Sequence, residues 1–163
     1  MLDRISAISG ARILSEKTGK QLGVAESVIC TGTNGVFGLL LQTGGFQNRY
    51  GFVCVEDIAS TEAGRIYVFH EDCVQKNKKQ IQQYRKEGAW KWLNRKAVTP
   101  DGKLLGTISD GLFDVREGKI SQIELSLGVM EDLREGRRRL CLTEDTEFGK
   151  EFLVLKEDGR QYE

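Results

Sequence analysis

Three pairs of adjacent acids, Glu56-Asp57, Glu71-Asp72 and Glu131-Asp132, are the first residues of this 163-residue chain whose types could do chemistry. Two carboxylates serve as acid and base when their surroundings split their pKa values. Neighbours on a strand point to opposite faces, so adjacency alone makes no dyad. Glu56-Asp57-Ile58 before Gly64-Arg65 echoes Glu131-Asp132-Leu133 before Gly136-Arg137, a pattern that fits structural turns with Asp57–Arg65 and Asp132–Arg137 ion pairs. The single histidine, His70, has only Cys73 close by, too few ligands for a metal site. Serine and cysteine nucleophiles find no second histidine and no identifiable base. Gly32-Thr33-Asn34-Gly35 and Gly44-Gly45 lack the spacing of phosphate-binding loops and read as turns. No catalytic, cofactor-binding or metal-binding residue is therefore expected, and the protein reads as a non-enzyme.

The strongest lead is basic. Residues 76–96 hold eight Lys or Arg (Lys76, Lys78, Lys79, Arg85, Lys86, Lys91, Arg95, Lys96) against one acid, Glu87, in a chain of zero net charge. Tyr84, Trp90 and Trp92 interleave with these cations, as in segments that stack on bases while neutralising phosphates. Arg137-Arg138-Arg139 is a second short cationic run. Three roles stay open for the segment: a solvated linker helix, an RNA contact using Lys76, Lys78, Lys79, Tyr84, Arg85, Lys86 and Trp92, or a clasp on the acidic remainder of the chain. Good helix formers fill Val74–Lys86, Ile81 and Tyr84 are three apart, and Gly88 ends the run.

The elements around that segment are duplicated. Gly19-Lys20-Gln21-Leu22-Gly23 returns as Gly102-Lys103-Leu104-Leu105-Gly106, a shift of 83 positions that also brings Leu22 onto Leu105, Gly35 onto Gly118, Leu40 onto Ile123 and Gly45 onto Gly128. Both halves read as short strands punctuated by glycine, which favours a small closed barrel. In the first half, strands are expected at residues 12–15, 22–29, 36–41, 50–55 and 66–69, with Asn34-Gly35 as a hairpin signal. In the second, Thr99-Pro100-Asp101-Gly102 is a β-turn, residues 105–114 form a bent strand, and 151–155 a final one. In the strand from Ile120, the members Ile123, Leu125 and Leu127 share one parity and are expected on the buried face, with Gln122 as the exception. The division expected is 1–73, a basic and partly helical linker at 74–94, and 95–163.

Asp101-Gly102-Lys103-Leu104-Leu105-Gly106-Thr107-Ile108-Ser109-Asp110, then Phe113-Asp114, Gly118-Lys119-Ile120, and Glu131-Asp132-Leu133 with Gly136-Arg137 resemble the PRC-barrel domain. That small β-barrel is named from the H subunit of the purple bacterial photosynthetic reaction centre, and it also forms the C-terminal domain of ribosome maturation factors. The resemblance covers residues 95–140 well and 12–72 more loosely. It implies a mainly β fold of two tandem small barrels, with Gly19, Lys20, Gly23, Gly102, Lys103, Gly106, Asp110, Asp114, Glu131, Asp132, Gly136 and Arg137 as structural motif residues. It also implies a docking surface on a larger assembly rather than a catalyst.

A non-enzymatic interaction module with a protein partner is accordingly the expected function, and a ribosome- or RNA-associated factor is the alternative. The two barrels are expected to act as a pseudo-symmetric monomer. The apolar content of 39% is ordinary, and no window nears the ~18 apolar residues of a membrane span. The widely spaced Cys30, Cys54, Cys73 and Cys141 suit buried reduced thiols, so a cytoplasmic location without membrane insertion is expected.

Overall fold

The computed structural model describes residues 2–30, 36–44, 49–88, 94–114, 117–143, 146–149 and 151–156. The order is β1 (Leu2–Arg4), α1 (Ile5–Ile8), β2 (Arg12–Ser15), β3 (Gln21–Cys30), β4 (Val36–Gln42), β5 (Tyr50–Cys54), β6 (Ile58–Glu62), β7 (Arg65–Val68), α2 (Lys78–Gln83), β8 (Lys96–Val98), β9 (Leu104–Asp114), β10 (Lys119–Ser126), α3 (Val129–Glu135), β11 (Arg138–Cys141), β12 (Glu147–Phe148) and β13 (Phe152–Val154). The protein is mainly β, with two sheets. One runs β5-β4-β3-β2-β7-β6 and the other β11-β10-β9-β8-β13-β12, with β1 added to β9.

The two sheets are copies in order and in detail. Each has one parallel pair, β2 with β7 and β8 with β13, amid antiparallel neighbours. In the first, Val24 pairs with Gln42 and Ala25 with Leu41, and a bulge at Glu26 then brings Ser27 opposite Leu40. In the second, Thr107 pairs with Ser126 and Ile108 with Leu125, and a bulge at Ser109 brings Asp110 opposite Glu124. A second bulge, at Phe37 and at Ser121, also coincides. Bulges bend a strand and re-aim its side chains, so matching bulges give both sheets the same bend. The loop closing the β9–β10 hairpin is one residue longer than its β3–β4 counterpart, so the shift grows from 83 to 84 along β4. The structural partner of Leu40 is thus Glu124, and Ile123 matches Leu39.

The Gly-Lys motif forms the turn that starts each copy. Ser15 N–H donates to the Lys20 carbonyl and Thr99 N–H to that of Lys103, with Gly19 and Gly102 at φ 72° and 91°. Such left-handed backbone suits glycine. Gly23 and Gly106 then sit where a paired strand comes close: a Cβ on Gly23 would lie 2.4 Å from the Gln42 carbonyl oxygen and one on Gly106 3.0 Å from that of Ser126.

One cluster of buried side chains runs from Ile5 and Ile8 through Ile13, Leu41 and Val53 to Ile108, Phe113, Ile123 and Leu153. α1 lies between the two copies, and Gly111 accommodates it, since a Cβ there would stand 2.6 Å from Ile5 Cδ1. The expected 1–73 unit is therefore crossed at its start, because β1 pairs with β9 of the other sheet.

The linker also departs from expectation. Helix α2 begins at Lys78, where the Asn77 side chain accepts from the Gln80 amide, and runs into a π-helical turn at Tyr84–Gly88. Gln75, expected within the helix, instead exchanges two backbone hydrogen bonds with Phe52 at the edge of β5. Trp90, Trp92 and the Asn34-Gly35 hairpin turn lie outside the described residues. Among the described residues no helix is long and apolar enough to cross a membrane.

Candidate functional site

The internal duplication supplies a control for every surface position: where the copies differ, the fold does not dictate the residue. Two such differences stand out, one on the face under α2 and one around α3.

On the first sheet, Ile29, Leu40 and Phe52 form an outer apolar patch that Ile81 and Tyr84 cover. The Tyr84 ring packs on Phe52 at 4.7 Å, its hydroxyl accepts from Gln80 Nε2 at 2.8 Å, and the Arg85 guanidinium lies 3.9 Å from the centre of the Tyr50 ring. Tyr84 and Arg85, two of the residues the RNA role would use, are thus engaged within the chain. Lys76, Lys78, Lys79 and Lys86 remain exposed.

The same positions on the second sheet are Leu112, Glu124 and Arg139; two of the three are charged, and no described helix covers them. Arg139 stands 3.6 Å from Glu124, and Arg4 reaches Glu124 at 3.0 Å and Asp110 at 3.2 Å. Asp110 is buried. Its Oδ2 accepts from the Ser6 hydroxyl at 2.6 Å, and its Oδ1 from the amides of Ser6 and Gly111 at 3.1 and 2.8 Å. Burial pushes this carboxyl up, but the Ser6 hydroxyl, the two amides and Arg4 outweigh it, and the pKa falls below the usual carboxylate value. The recess between Arg4, Asp110, Glu124 and Arg139 holds about 40 Å³, the scale of one or two waters, so the cluster latches the N-terminal segment rather than enclosing a ligand.

The second difference is apolar. Six of the seven large apolar side chains most exposed among the described residues belong to the second copy: Leu104, Leu127, Val129, Met130, Leu133 and Phe152. By register, Leu104 occupies the place of Gln21, and Phe152 that of Arg65. Leu127 follows Ser126 as Thr43 follows Gln42. Leu104 also continues a cross-strand row through Val98 to Val154. Leu127, expected on the buried face, is 51% exposed, because β10 ends at Ser126 and Leu127 lies over Gly106. The bulge at Ser121 explains why Gln122 breaks the parity.

Helix α3 has no described counterpart in the first copy, where the Gln42–Tyr50 connection is shorter. It buries none of its residues, and Val129 and Leu133 are 77% and 79% exposed. Asp132 anchors it. That carboxylate accepts from the Ser126 hydroxyl at 2.5 Å and the Leu127 amide at 3.2 Å, and it meets Arg137 at 3.8 Å. Gly136, at φ 76°, ends the helix.

The other residues singled out in the sequence fall into structural roles. The paired acids are not on strands: Glu56-Asp57 and Glu71-Asp72 sit in single 3-10 turns and Glu131-Asp132 in α3. The echo between the first and third pairs is not a structural repeat, since one follows β5 and the other precedes β11. The Asp132–Arg137 ion pair is present, and no Asp57–Arg65 pair occurs among the described residues. Lys20 reaches Glu71 at 4.0 Å, Lys103 is exposed, and the Asp114 carboxylate accepts from the Glu117 amide at 3.3 Å. His70 caps the turn at Glu71–Cys73, accepting from the Asp72 amide. Cys54, Cys73 and Cys141 are half-buried rather than buried, and burial, aided by Asp57, pushes the Cys54 thiol up. Among the described residues no three His, Cys, Asp or Glu side chains group as metal ligands would.

What sequence reasoning missed is the α3 face. Its signal was available in the contrast of Leu104 with Gln21 and Leu127 with Thr43 across the repeat. No protein-family model matches the chain, and no curated protein matches it.

Proposed function

We propose that the protein is a non-enzymatic docking module made of two PRC-type barrels, which engages a protein partner through the outer apolar face of its second copy. The single observation behind this reading is the apolar set at Leu104, Leu127 and Phe152, where the first copy folds with Gln21, Thr43 and Arg65. Exposed apolar surface that the fold does not need is the mark of an interaction site. The barrel description rests on the sequence resemblance, and the short connection between the edge strands of the first sheet supports it. β5 passes to β6 through the one turn Val55–Asp57, a connection short enough to curl the six-stranded sheet toward closure.

The test uses the first copy's own residues. Wild-type protein and the variant Leu104→Gln/Leu127→Thr/Phe152→Arg are used to capture partners from native-source lysate, with and without ribonuclease. A protein held by wild type after ribonuclease and lost by the variant is the expected outcome. Retention by both would remove this face from the function. Capture that ribonuclease abolishes would favour the alternative, in which Lys76, Lys78, Lys79 and Lys86 contact RNA.

A further inference from the structure

We infer that the α3 face is a self-association surface, covered by the same face of a second copy of this chain. The inference rests on the docking reading and names its occupant.

Short isolated helices are marginal in water, and most draw stability from burying an apolar stripe. Helix α3 has seven residues and buries none of them, and its outward side chains include Val129, Met130 and Leu133. Asp132 and Gly136 hold its ends in place, so the helix is presented ready-formed rather than folded on contact. Leu127, whose amide is bonded to Asp132, stands exposed at the start of the helix, and Leu104 and Phe152 are exposed on the sheet face that carries Val98 and Val154.

The charges around this surface choose between occupants. Lys103, Arg134 and Arg137 are exposed beside it, and so are Glu131, Glu135 and Glu151. A rim of mixed sign gives no attraction to a polyanion or an anionic lipid surface, both of which select one sign. It suits an isologous contact, in which a patch meets itself and a single-signed rim would repel. Antiparallel apposition of two α3 helices about a twofold axis brings Glu131 of each copy toward Arg134 of the other, so one pairing is made twice.

Area sets the strength. Six large apolar side chains, from 42% to 79% exposed, together present on the order of 600 Å² per copy. A pair then buries about 1,200 Å², the lower limit for a stable complex. The expected dimer is weak and concentration-dependent, with Kd on the order of 10 µM.

Sedimentation velocity and light scattering from about 1 to about 300 µM protein test this. The expected result is a monomer–dimer equilibrium in wild type. Leu104→Gln/Leu127→Thr/Phe152→Arg and the α3-only variant Met130→Gln/Leu133→Gln should each weaken it at least ~30-fold, as loss of central apolar anchors does. The α3-only variant should keep the wild-type melting temperature at low micromolar concentration, because Met130 and Leu133 are 68% and 79% exposed. A wild-type protein that stays monomeric at about 300 µM overturns the second-copy inference. So does a dimer that both variants form equally well. The lysate capture is read separately: a wild-type protein that stays monomeric yet captures a partner through this face leaves the docking reading standing, and a wild type that neither self-associates nor captures a protein refutes both.

Discussion

Asp110→Asn removes one charge and almost no volume, and it isolates the latch that ties the N-terminal segment to β9. In the wild type, Oδ1 accepts from two amides, Ser6 at 3.1 Å and Gly111 at 2.8 Å, and Oδ2 from the Ser6 hydroxyl at 2.6 Å and Arg4 at 3.2 Å. The asparagine oxygen can keep the amide bonds, but as neutral ones, each weaker by about 1 kcal/mol than a bond to a carboxylate. The new amide nitrogen must face the Ser6 hydroxyl, which can turn to accept, and Arg4, which cannot. Arg4 is half-exposed and keeps Glu124 at 3.0 Å, so its loss adds little. Relief from burying a charge offsets part of the total, leaving a net destabilisation of about 2 kcal/mol at pH 7 and a fall in Tm of roughly 4–8 °C. Because Asp110 has a folded pKa below its unfolded value, the wild-type advantage is fully present above about pH 4. It fades as the pH drops through the lower folded value, where protonated Asp110 resembles the asparagine. Urea denaturation of both proteins at about pH 7 and about pH 2.5 measures the gap. An equal gap at both pH values, or none at pH 7, would refute the assignment of Asp110 as a charged latch.

Three further outcomes follow from the packing. Ile81→Ala should cost about 2–4 kcal/mol and speed amide exchange across Lys78–Gln83, since Ile81 is 5% exposed against Ile29, Leu40 and Phe52; unchanged exchange would mean that α2 is not held there. Gly23→Ala should cost about 2–3 kcal/mol in chemical denaturation, because its Cβ would meet the Gln42 carbonyl oxygen at 2.4 Å and the main chain must shift; a neutral effect would contradict the close approach of β3 and β4. Charge reversal at Lys78, Lys79, Arg85 and Lys86 should change stability by no more than about 1 kcal/mol, chiefly through Arg85 leaving the Tyr50 ring, and should leave ribonuclease-resistant capture intact. A fall in Tm of 10 °C or more, on the order of 3 kcal/mol, would instead identify the segment as a clasp on the acidic remainder.

The sequence by itself determined the duplication and the strand-rich character, because turns are local. Gly19-Lys20 and Gly102-Lys103 declare their turns through left-handed glycines, and these need no distant partner. The close approaches at Gly23 and Gly106 are of another kind, since they are to Gln42 and Ser126 on the paired strands. Strand parity changes at the bulge at Ser121, where one extra residue puts Ile120 and Ile123 on the same face, and it stops holding at Leu127 because β10 ends at Ser126. The start of α2 was misplaced because Gln75 is claimed by β5, a pairing that depends on where the sheet edge lies. Tertiary structure alone decided what covers each copy. Leu40 and Glu124 occupy the same place in two copies of one fold, yet one is apolar under Ile81 and the other ion-paired beside Arg4 and Arg139. Exposure of Val129, Met130 and Leu133 was equally illegible in the chain, since a short helix reads the same whether its apolar side chains meet a core or face outward. Burial is a property of what lies opposite a residue, and only the folded chain supplies the opposite side.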